Sequence, residues 1–553
     1  MPTRTKSHRA PRPVGVPRGR AKKPRRAFRA LVSDPIADAG VDLLRADPDI
    51  EVEVKTDHTS DELKRAVARA DALLVRSQTE VTGEVIQAAK RLKVIARAGV
   101  GVDNVDVTAA TRRGVVVVNS PEGNTIAATE HTMALLLALS RRIPEASDST
   151  RKGEWKRGKF MGVELYNKVL GIIGLGKIGA EVACRARGFG MRLLAFDPFI
   201  SADHAERLGA ELVTLEELLA GSDYVTIHTP LTKDTRGLIG KPALANAKRG
   251  IRIVNTARGG IVDEQALADA VKSGIVAGAA LDVFEHEPPK DSPLVGLEGV
   301  IATPHLGAST EEAQVRVAVD VAQQVVDVLH GRPARTPVNL TPVRTEALAA
   351  LQPYITLAEK IGRLQAQLAA GHLTGVEITY SGEIAELDVS AVTPSFLVGL
   401  LQPALEEPVN LVNAPLLAEA RGLRVKESKS TTAEDYASLI IGRVASDQGE
   451  RLIAGTLFGR NDLRIVRLDD YRVDFEPTGY MLIADHHDRP GVIGKVGTIL
   501  GKEDINIAGM HVGRRTARGK AVMVLSVDSP IPPAVMKKIS RLDSMYRCVL
   551  VEL

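Results

Sequence analysis

Short apolar runs alternate with longer stretches of helical period along most of the chain. Residues 30–33 read as a strand, and 72–75, 94–96 and 115–118 are uninterrupted apolar runs that read as buried strands. Residues 50–54 alternate apolar and charged side chains, as a half-buried strand does. Helical patterns lie between them, which predicts a small doubly wound α/β domain. A turn at Pro121-Glu122-Gly123-Asn124 precedes a long apolar helix over 126–140, predicted to cross into a second α/β domain. That domain continues through strands predicted at 224–228, 251–255, 278–282 and 300–302, each ending in a polar or Gly/Pro-rich loop. A helix over 309–329 is predicted to return to the first domain and make it discontinuous.

Residues 331–345 hold three prolines and read as a linker. Beyond it, strands are suggested at 375–380 and 464–468, within a separate α/β unit. Residues 480–553 read strand, helix, strand, strand, helix, strand, which is the ferredoxin-like order. The boundaries are therefore 28–120 with 306–335 for the first domain, 121–305 for the second, 336–478 for the intervening unit and 479–553 for the last.

The stretch 169–198 organises this layout. An apolar run ends in Gly174-x-Gly176-x-x-Gly179, and a second apolar run ends in Asp197. This is the dinucleotide-binding fingerprint. Gly174 permits the tight turn, Gly176 lets backbone N–H groups approach a pyrophosphate, and Gly179 lets the helix pack against the sheet. Asp197 can accept both ribose hydroxyls and would repel a 2′-phosphate, so the cofactor reads as NAD rather than NADP.

Charge changes the picture only at the N-terminus. Residues 1–27 carry ten Lys/Arg and no Asp/Glu, so the net +4 becomes −6 without them. This removes any global argument for nucleic-acid binding. The stretch reads as a disordered, solvated extension, with a polyanion-binding arm or targeting peptide as the other readings. It has no apolar segment of the kind a secretory signal needs. No apolar run approaches the roughly 20 residues that span a bilayer. The two cysteines, Cys184 and Cys548, fit a reducing cytoplasm without a disulfide framework. No metal site is read.

In open parallel sheets a ligand lies outside the carboxyl ends of the strands, so the loops there are the place to look for chemistry. Three of their residues stand out: Arg258, Glu287 and His305. Each alone reads as a salt bridge, a solvated acid or a satisfied histidine. Together they match oxidation of a 2-hydroxy acid. A histidine can take the hydroxyl proton, a carboxylate beside it favours the imidazolium that forms, and a guanidinium pairs with the substrate's carboxylate and carbonyl oxygen.

At these residues the sequence resembles the D-isomer-specific 2-hydroxyacid dehydrogenases. The carriers are Gly99-Val100-Gly101-Val102-Asp103-Asn104, the 174–179 glycine turn, Asn255-Thr256-Ala257-Arg258-Gly259-Gly260, Asp282-Val283-Phe284 with Glu287-Pro288, and Thr303-Pro304-His305-Leu306-Gly307. The resemblance runs from Phe28 to Leu553 and is closest to the long forms of the family. It implies a Rossmann-type NAD domain, a discontinuous flavodoxin-like substrate domain, an α+β intervening domain of the allosteric substrate-binding type and a ferredoxin-like ACT domain. It implies His305, Glu287 and Arg258 as catalytic residues. NAD contacts fall on Val100, Gly174, Gly176, Lys177, Ile178, Gly179, Asp197, Thr229, Thr235, Ala257, Arg258, Asp282, His305 and Ala308. Substrate contacts fall on Arg76, Arg97, Gly99, Val100, Arg258 and His305, with Arg76 on a phosphate. Some relatives have a second arginine where this chain has Gln78.

The activity implied is NAD-dependent oxidation of D-3-phosphoglycerate to 3-phosphohydroxypyruvate, the first step of phosphorylated L-serine biosynthesis. L-serine is implied as effector at His486, Asp488 and Asn506, and the assembly as a homotetramer in the cytoplasm. A relative acting on glycerate, glyoxylate or lactate is the alternative enzyme, although simpler relatives end near Thr336. An NADH-sensing corepressor is the alternative from another class, and the ACT-like unit argues against it.

Overall fold

The structure is a computed structural model that describes residues 27–341, 345–432 and 435–553, without the side chains of 345–349. The basic extension thus lies almost entirely outside the described residues.

The first lobe is a parallel sheet of strands Phe28–Val32, Ile50–Val54, Ala72–Val75, Val94–Arg97 and Val116–Val118. In space they run second, first, third, fourth, fifth, the flavodoxin-like order. The apolar runs of the inner strands Ala72–Val75 and Val94–Arg97 follow from burial on both faces, whereas the edge strand Ile50–Val54 alternates. The helix Glu311–Leu329 comes back from the second lobe and buries Val317, Val321 and Val325 against this sheet. The discontinuity foreseen in the sequence is therefore real.

The second lobe is a seven-stranded parallel sheet, with Val169–Ile173 in its interior. Arg192–Phe196 and the short edge strand Ala210–Leu212 lie on one side. Tyr224–Ile227, Ile251–Asn255, Val276–Leu281 and Val300–Ala302 lie on the other. The edge strand Ala210–Leu212 is the one that the hydrophobic pattern missed, because Glu211 breaks its three-residue run. The helix Thr125–Arg141 joins the lobes and buries Met133, Leu136 and Leu139 in the core of the second.

The segment after the returning helix corrects one boundary. Residues 331–341 do not form a free linker. Pro337 bridges Val118, and Asn339 stitches the chain to the first sheet. Its carbonyl accepts from the Val117 amide at 2.8 Å, and its amide donates to the Val115 carbonyl at 2.9 Å. The first lobe therefore extends through Asn339 rather than ending at 335.

The intervening unit packs the helix Thr345–Leu368 on a six-stranded mixed sheet, of which the sequence disclosed two strands. The last unit has the order foreseen for it. Strands Tyr480–His487, Ile507–Arg514, Lys520–Val527 and Met545–Glu552 lie with the second and third to one side of the first and the fourth to the other. One hydrophobic core runs through both units. Phe396, Ile440, Phe475, Met481, Ile483, Val524 and Val551 belong to it, so position 478/479 divides the sequence but not the packing.

A cavity of about 950 Å³ lies between the first lobe and the intervening unit, walled by Leu92, Val116, Leu340, Ile355 and Leu411. None of the three candidate catalytic residues lines it.

Candidate active site

The glycine turn is built as its spacing requires. Gly174 has φ +90°, in the left-handed region that favours glycine. A side chain at Gly179 would stand 2.1 Å from the Gly174 carbonyl oxygen, so only glycine lets the helix Lys177–Gly188 pack this close. Gly176 is the N-cap of that helix and has no side-chain cap; a Cβ there meets nothing within 4 Å. The helix start thus offers free N–H groups beside open space, which fits a pyrophosphate. The Asp197 carboxylate accepts from the Leu175 and Phe199 amides, each at 2.9 Å, which fixes it at the end of its strand. The Thr229 hydroxyl is buried beside the turn without a hydrogen-bond partner. These residues fit NAD.

Other expected cofactor positions are placed as follows. The Lys177 ammonium pairs with Glu122 of the interlobe turn at 2.6 Å, and Ile178 packs against the core of the second lobe. The Thr235 hydroxyl donates to the Pro230 carbonyl at 2.7 Å and shapes that loop. The Ala257 amide donates to the Asn255 side chain at 3.0 Å, and the Ala308 carbonyl accepts from Gln314 at 2.7 Å. The Val100 carbonyl accepts from Asn119.

Asp282, expected at the cofactor, has a buried carboxylate that accepts hydrogen bonds from the 303–307 loop. The Thr303 hydroxyl donates to it at 2.6 Å, and the Leu306 and Gly307 amides each at 2.8 Å. Burial pushes its pKa up, but hydrogen bonds from His131, Thr303 and the Leu306 amide outweigh that and hold it below the usual carboxylate range.

His305 and Glu287 meet. His305 Nδ1 is 2.8 Å from Glu287 Oε2, and the other carboxylate oxygen accepts from the Phe284 amide at 3.2 Å. An ionised carboxylate only accepts, so Nδ1 carries the proton and Nε2 is left as the base. Burial raises the Glu287 pKa, but the His305 contact outweighs it and keeps the acid ionised below its ordinary range. His305 itself has φ +55°, a conformation uncommon outside glycine.

Arg258 reaches across the cleft between the lobes. Its Nε donates to Asp103 Oδ2 of the first lobe at 3.2 Å, and Nη1 to its neighbour's carbonyl at 2.7 Å. Gly101 makes room for it, since a Cβ there would lie 2.1 Å from Nη2. Gly99 does the same for Arg97, whose Nη1 would be 1.6 Å away. Burial brings the Arg97 guanidinium down to about 10, and the charges of Arg258 and Arg76 push the same way against Asp103 and Asp34. Its Nε is buried without a partner. Arg76 is held by its backbone, whose amide donates to Asp34 at 2.6 Å. Its side chain makes no ion pair among the described residues, and Gln78 is exposed close by in the chain. Asp103, Glu122 and His131 are the site residues that sequence reasoning gave no role. Asp103 stood in a quoted motif, but only the meeting of the two lobes shows what it touches.

The three expected effector residues do not come together within one chain. His486 is buried, and that burial lowers its pKa. Asp488 accepts from Arg514 Nη1 at 3.1 Å and from the Arg518 amide at 3.2 Å. Both stand where Lys520 pairs with His487, at one end of the sheet. Asn506 precedes the strand Ile507–Arg514, whose first residue pairs with Val527 at the other end, and it donates to Asp528 at 2.8 Å. About seven residues of strand, roughly 20 Å, separate them.

Asp47, Asp49 and His330 form one group of potential metal ligands among the described residues, but His330 Nε2 already pairs with Asp47 at 2.8 Å. No described helix is long and apolar enough to cross a membrane.

A doubly wound nucleotide domain facing a histidine–glutamate pair and an arginine cluster defines an NAD-dependent oxidoreductase of 2-hydroxy acids. The comparisons with known proteins agree. Residues 133–307 match the NAD-binding domain of the D-isomer-specific 2-hydroxyacid dehydrogenases, 350–469 the D-3-phosphoglycerate dehydrogenase intervening domain, and 480–544 the ACT domain. The D-3-phosphoglycerate dehydrogenase of Archaeoglobus fulgidus is 48% identical over 95% of this chain and 100% of its own. That of Synechocystis is 46% identical over 95% of each. A crystal structure of NAD-dependent formate dehydrogenase from Staphylococcus aureus with NAD is 31% identical, has a TM-score of 0.51, and covers 55% of this chain and 97% of its own. The chain belongs to the D-3-phosphoglycerate dehydrogenases of the D-isomer-specific 2-hydroxyacid dehydrogenase family.

Proposed function

We propose that this protein oxidises D-3-phosphoglycerate to 3-phosphohydroxypyruvate, the first step of phosphorylated L-serine biosynthesis. The observations that carry this reading are the convergence of the Arg76 and Arg258 charges on Arg97 and the His305–Glu287 pair. Arg97 is destabilised by burial and by two like charges, so a substrate carrying both a carboxylate and a phosphate relieves it. Arg258 holds the carboxylate and the oxygen that becomes the carbonyl, and Arg76 takes the phosphate. His305 Nε2 accepts the C2 hydroxyl proton, and Glu287 favours the imidazolium so formed. NAD, held by the 174–179 turn and Asp197, supplies the hydride acceptor.

The test is NAD reduction with a panel of 2-hydroxy acids, with and without a 3-phosphate. Strong preference for 3-phosphoglycerate supports the reading; equal turnover of glycerate or lactate replaces it with the simpler dehydrogenase.

Control and assembly belong to the same reading. L-serine is the effector, and its site needs two copies of the chain, because Asp488 and Asn506 lie at opposite ends of one sheet. The protein assembles as a homotetramer; exposed apolar side chains such as Trp155 at 75% and Met161 at 82% suit buried contacts between copies. Both cysteines are free, which fits a cytoplasmic enzyme. Calorimetry with L-serine and light scattering of the purified protein test these points. No heat with millimolar serine would leave the ACT unit as an assembly domain only.

A further inference from the structure

We propose that His131 is a positioning residue that aims His305 at the substrate by holding the loop 303–307 through the buried carboxylate of Asp282. This rests on the dehydrogenase reading above.

His305 cannot aim itself. Its backbone has φ +55°, and a residue held there persists only where its surroundings over-determine it. The surroundings are the Asp282 carboxylate. Oδ1 accepts from the Thr303 hydroxyl and the Leu306 amide, and Oδ2 accepts from the Gly307 amide. These donors bracket His305 on both sides in the chain. His131 Nε2 lies 3.1 Å from the same Oδ1 and 3.3 Å from Thr303 Oγ1. The carboxylate can only accept, so Nε2 carries the hydrogen and donates. His131 thus supplies a donor from outside the loop and ties it to a different element.

That element is suited to the task. His131 sits in the helix Thr125–Arg141, whose side is packed in the core of the second lobe. The next residue, Thr132, shares a hydrogen bond of 2.8 Å with Thr256, in the loop that carries Arg258. One turn of a rigid helix therefore touches the loops of both the base and the guanidinium. Without the His131 donor, Asp282 keeps only partners that move with the loop. The His305 ring then loses its fixed distance to the substrate hydroxyl, and a displacement of about 1 Å can cost up to about 10²-fold in rate.

The experiment compares His131→Leu, His131→Asn and His131→Gln in the full-length protein. Glutamine carries a neutral donor to nearly the reach of Nε2; leucine has none, and asparagine is too short. We expect His131→Leu and His131→Asn to lower kcat by about tenfold. KM for 3-phosphoglycerate and Kd for NADH, read by its fluorescence, should stay within about twofold. His131→Gln should recover kcat to within about threefold. Hydrogen exchange read by mass spectrometry should speed up in the peptide covering 302–309 and stay unchanged over 169–198. The proposal is overturned by kcat within twofold in His131→Leu and His131→Asn, by equal loss in His131→Gln, or by faster exchange throughout the lobe. If the unmodified protein reduces NAD with no 2-hydroxy acid, the functional reading fails instead, while the exchange result still decides whether His131 holds the loop.

Discussion

At the scale of single residues, the division of labour between Glu287 and His305 makes unequal predictions. His305→Ala removes the base, and kcat should fall by a factor on the order of 10² or more. Glu287→Gln keeps the base but removes the anion opposite the imidazolium, so the loss should be smaller and the pH profile displaced. A His305→Ala enzyme that keeps most of its kcat would refute the assignment. His228 makes a prediction about stability. It lies behind the glycine turn, with Nε2 2.9 Å from the Thr226 hydroxyl, and burial lowers its pKa to about 3. The unfolded chain takes up this proton near pH 6.5, whereas the folded one resists it until about 3. Stability is therefore complete above about 6.5 and is lost as pH falls toward 3. Between pH 7 and pH 5 this costs about 2 kcal/mol. His228→Gln should flatten that part of the dependence, measured as the unfolding midpoint of the NAD domain in urea. Parallel curves for the two proteins would show that His228 contributes nothing to it.

At the scale of elements, two glycines three residues apart serve different ends. Gly176→Val places a side chain in open space at the helix start. The fold should be unaffected, with Tm within a degree or two by calorimetry, while KM for NAD rises by about tenfold or more. Gly179→Ala meets the Gly174 carbonyl at 2.1 Å and should lower Tm before it affects anything else. A Gly176→Val protein with an unchanged KM would mean that the pyrophosphate does not lie at this turn. The fingerprint assigns the two glycines these different roles, and the structure supplies the space that makes them so. Their separation comes from what surrounds each: a carbonyl oxygen in one case and empty space in the other.

At the scale of the whole molecule, the packing sets where the chain can be cut. A chain ending at Thr341 keeps the Asn339 stitch and both catalytic lobes. It should stay soluble and reduce NAD, with no response to serine. A chain ending at 478 removes Met481, Ile483, Val524 and Val551 from a core they share with the intervening sheet. It should aggregate or lose cooperative unfolding in that unit, as seen by size-exclusion chromatography and calorimetry. A soluble, cooperatively folded chain ending at 478 would show that the two units are independent after all.

The sequence by itself determined the parts whose physics is local. Strands buried on both faces declare themselves as apolar runs, so the sheets of both lobes were legible apart from the edge strand Ala210–Leu212. Turn chemistry and the acid at Asp197 disclosed the nucleotide site, because glycine and carboxylate have few other uses at that spacing. The tertiary structure alone decided what depends on residues far apart in the chain. Asp282 accepts from the Leu306 and Gly307 amides of the His305 loop, and such partners of a carboxylate cannot be read from its neighbours in sequence. The prolines of 331–341 suggested a linker, but side-chain hydrogen bonds from Thr336 and Asn339 bind that segment to the first sheet. Asp488 and Asn506 are close in sequence but far apart in space, because the helix Val492–Lys502 between them carries the chain from one end of the sheet to the other. Arg258 and Asp103 are 155 residues apart and meet only because two lobes fold against each other.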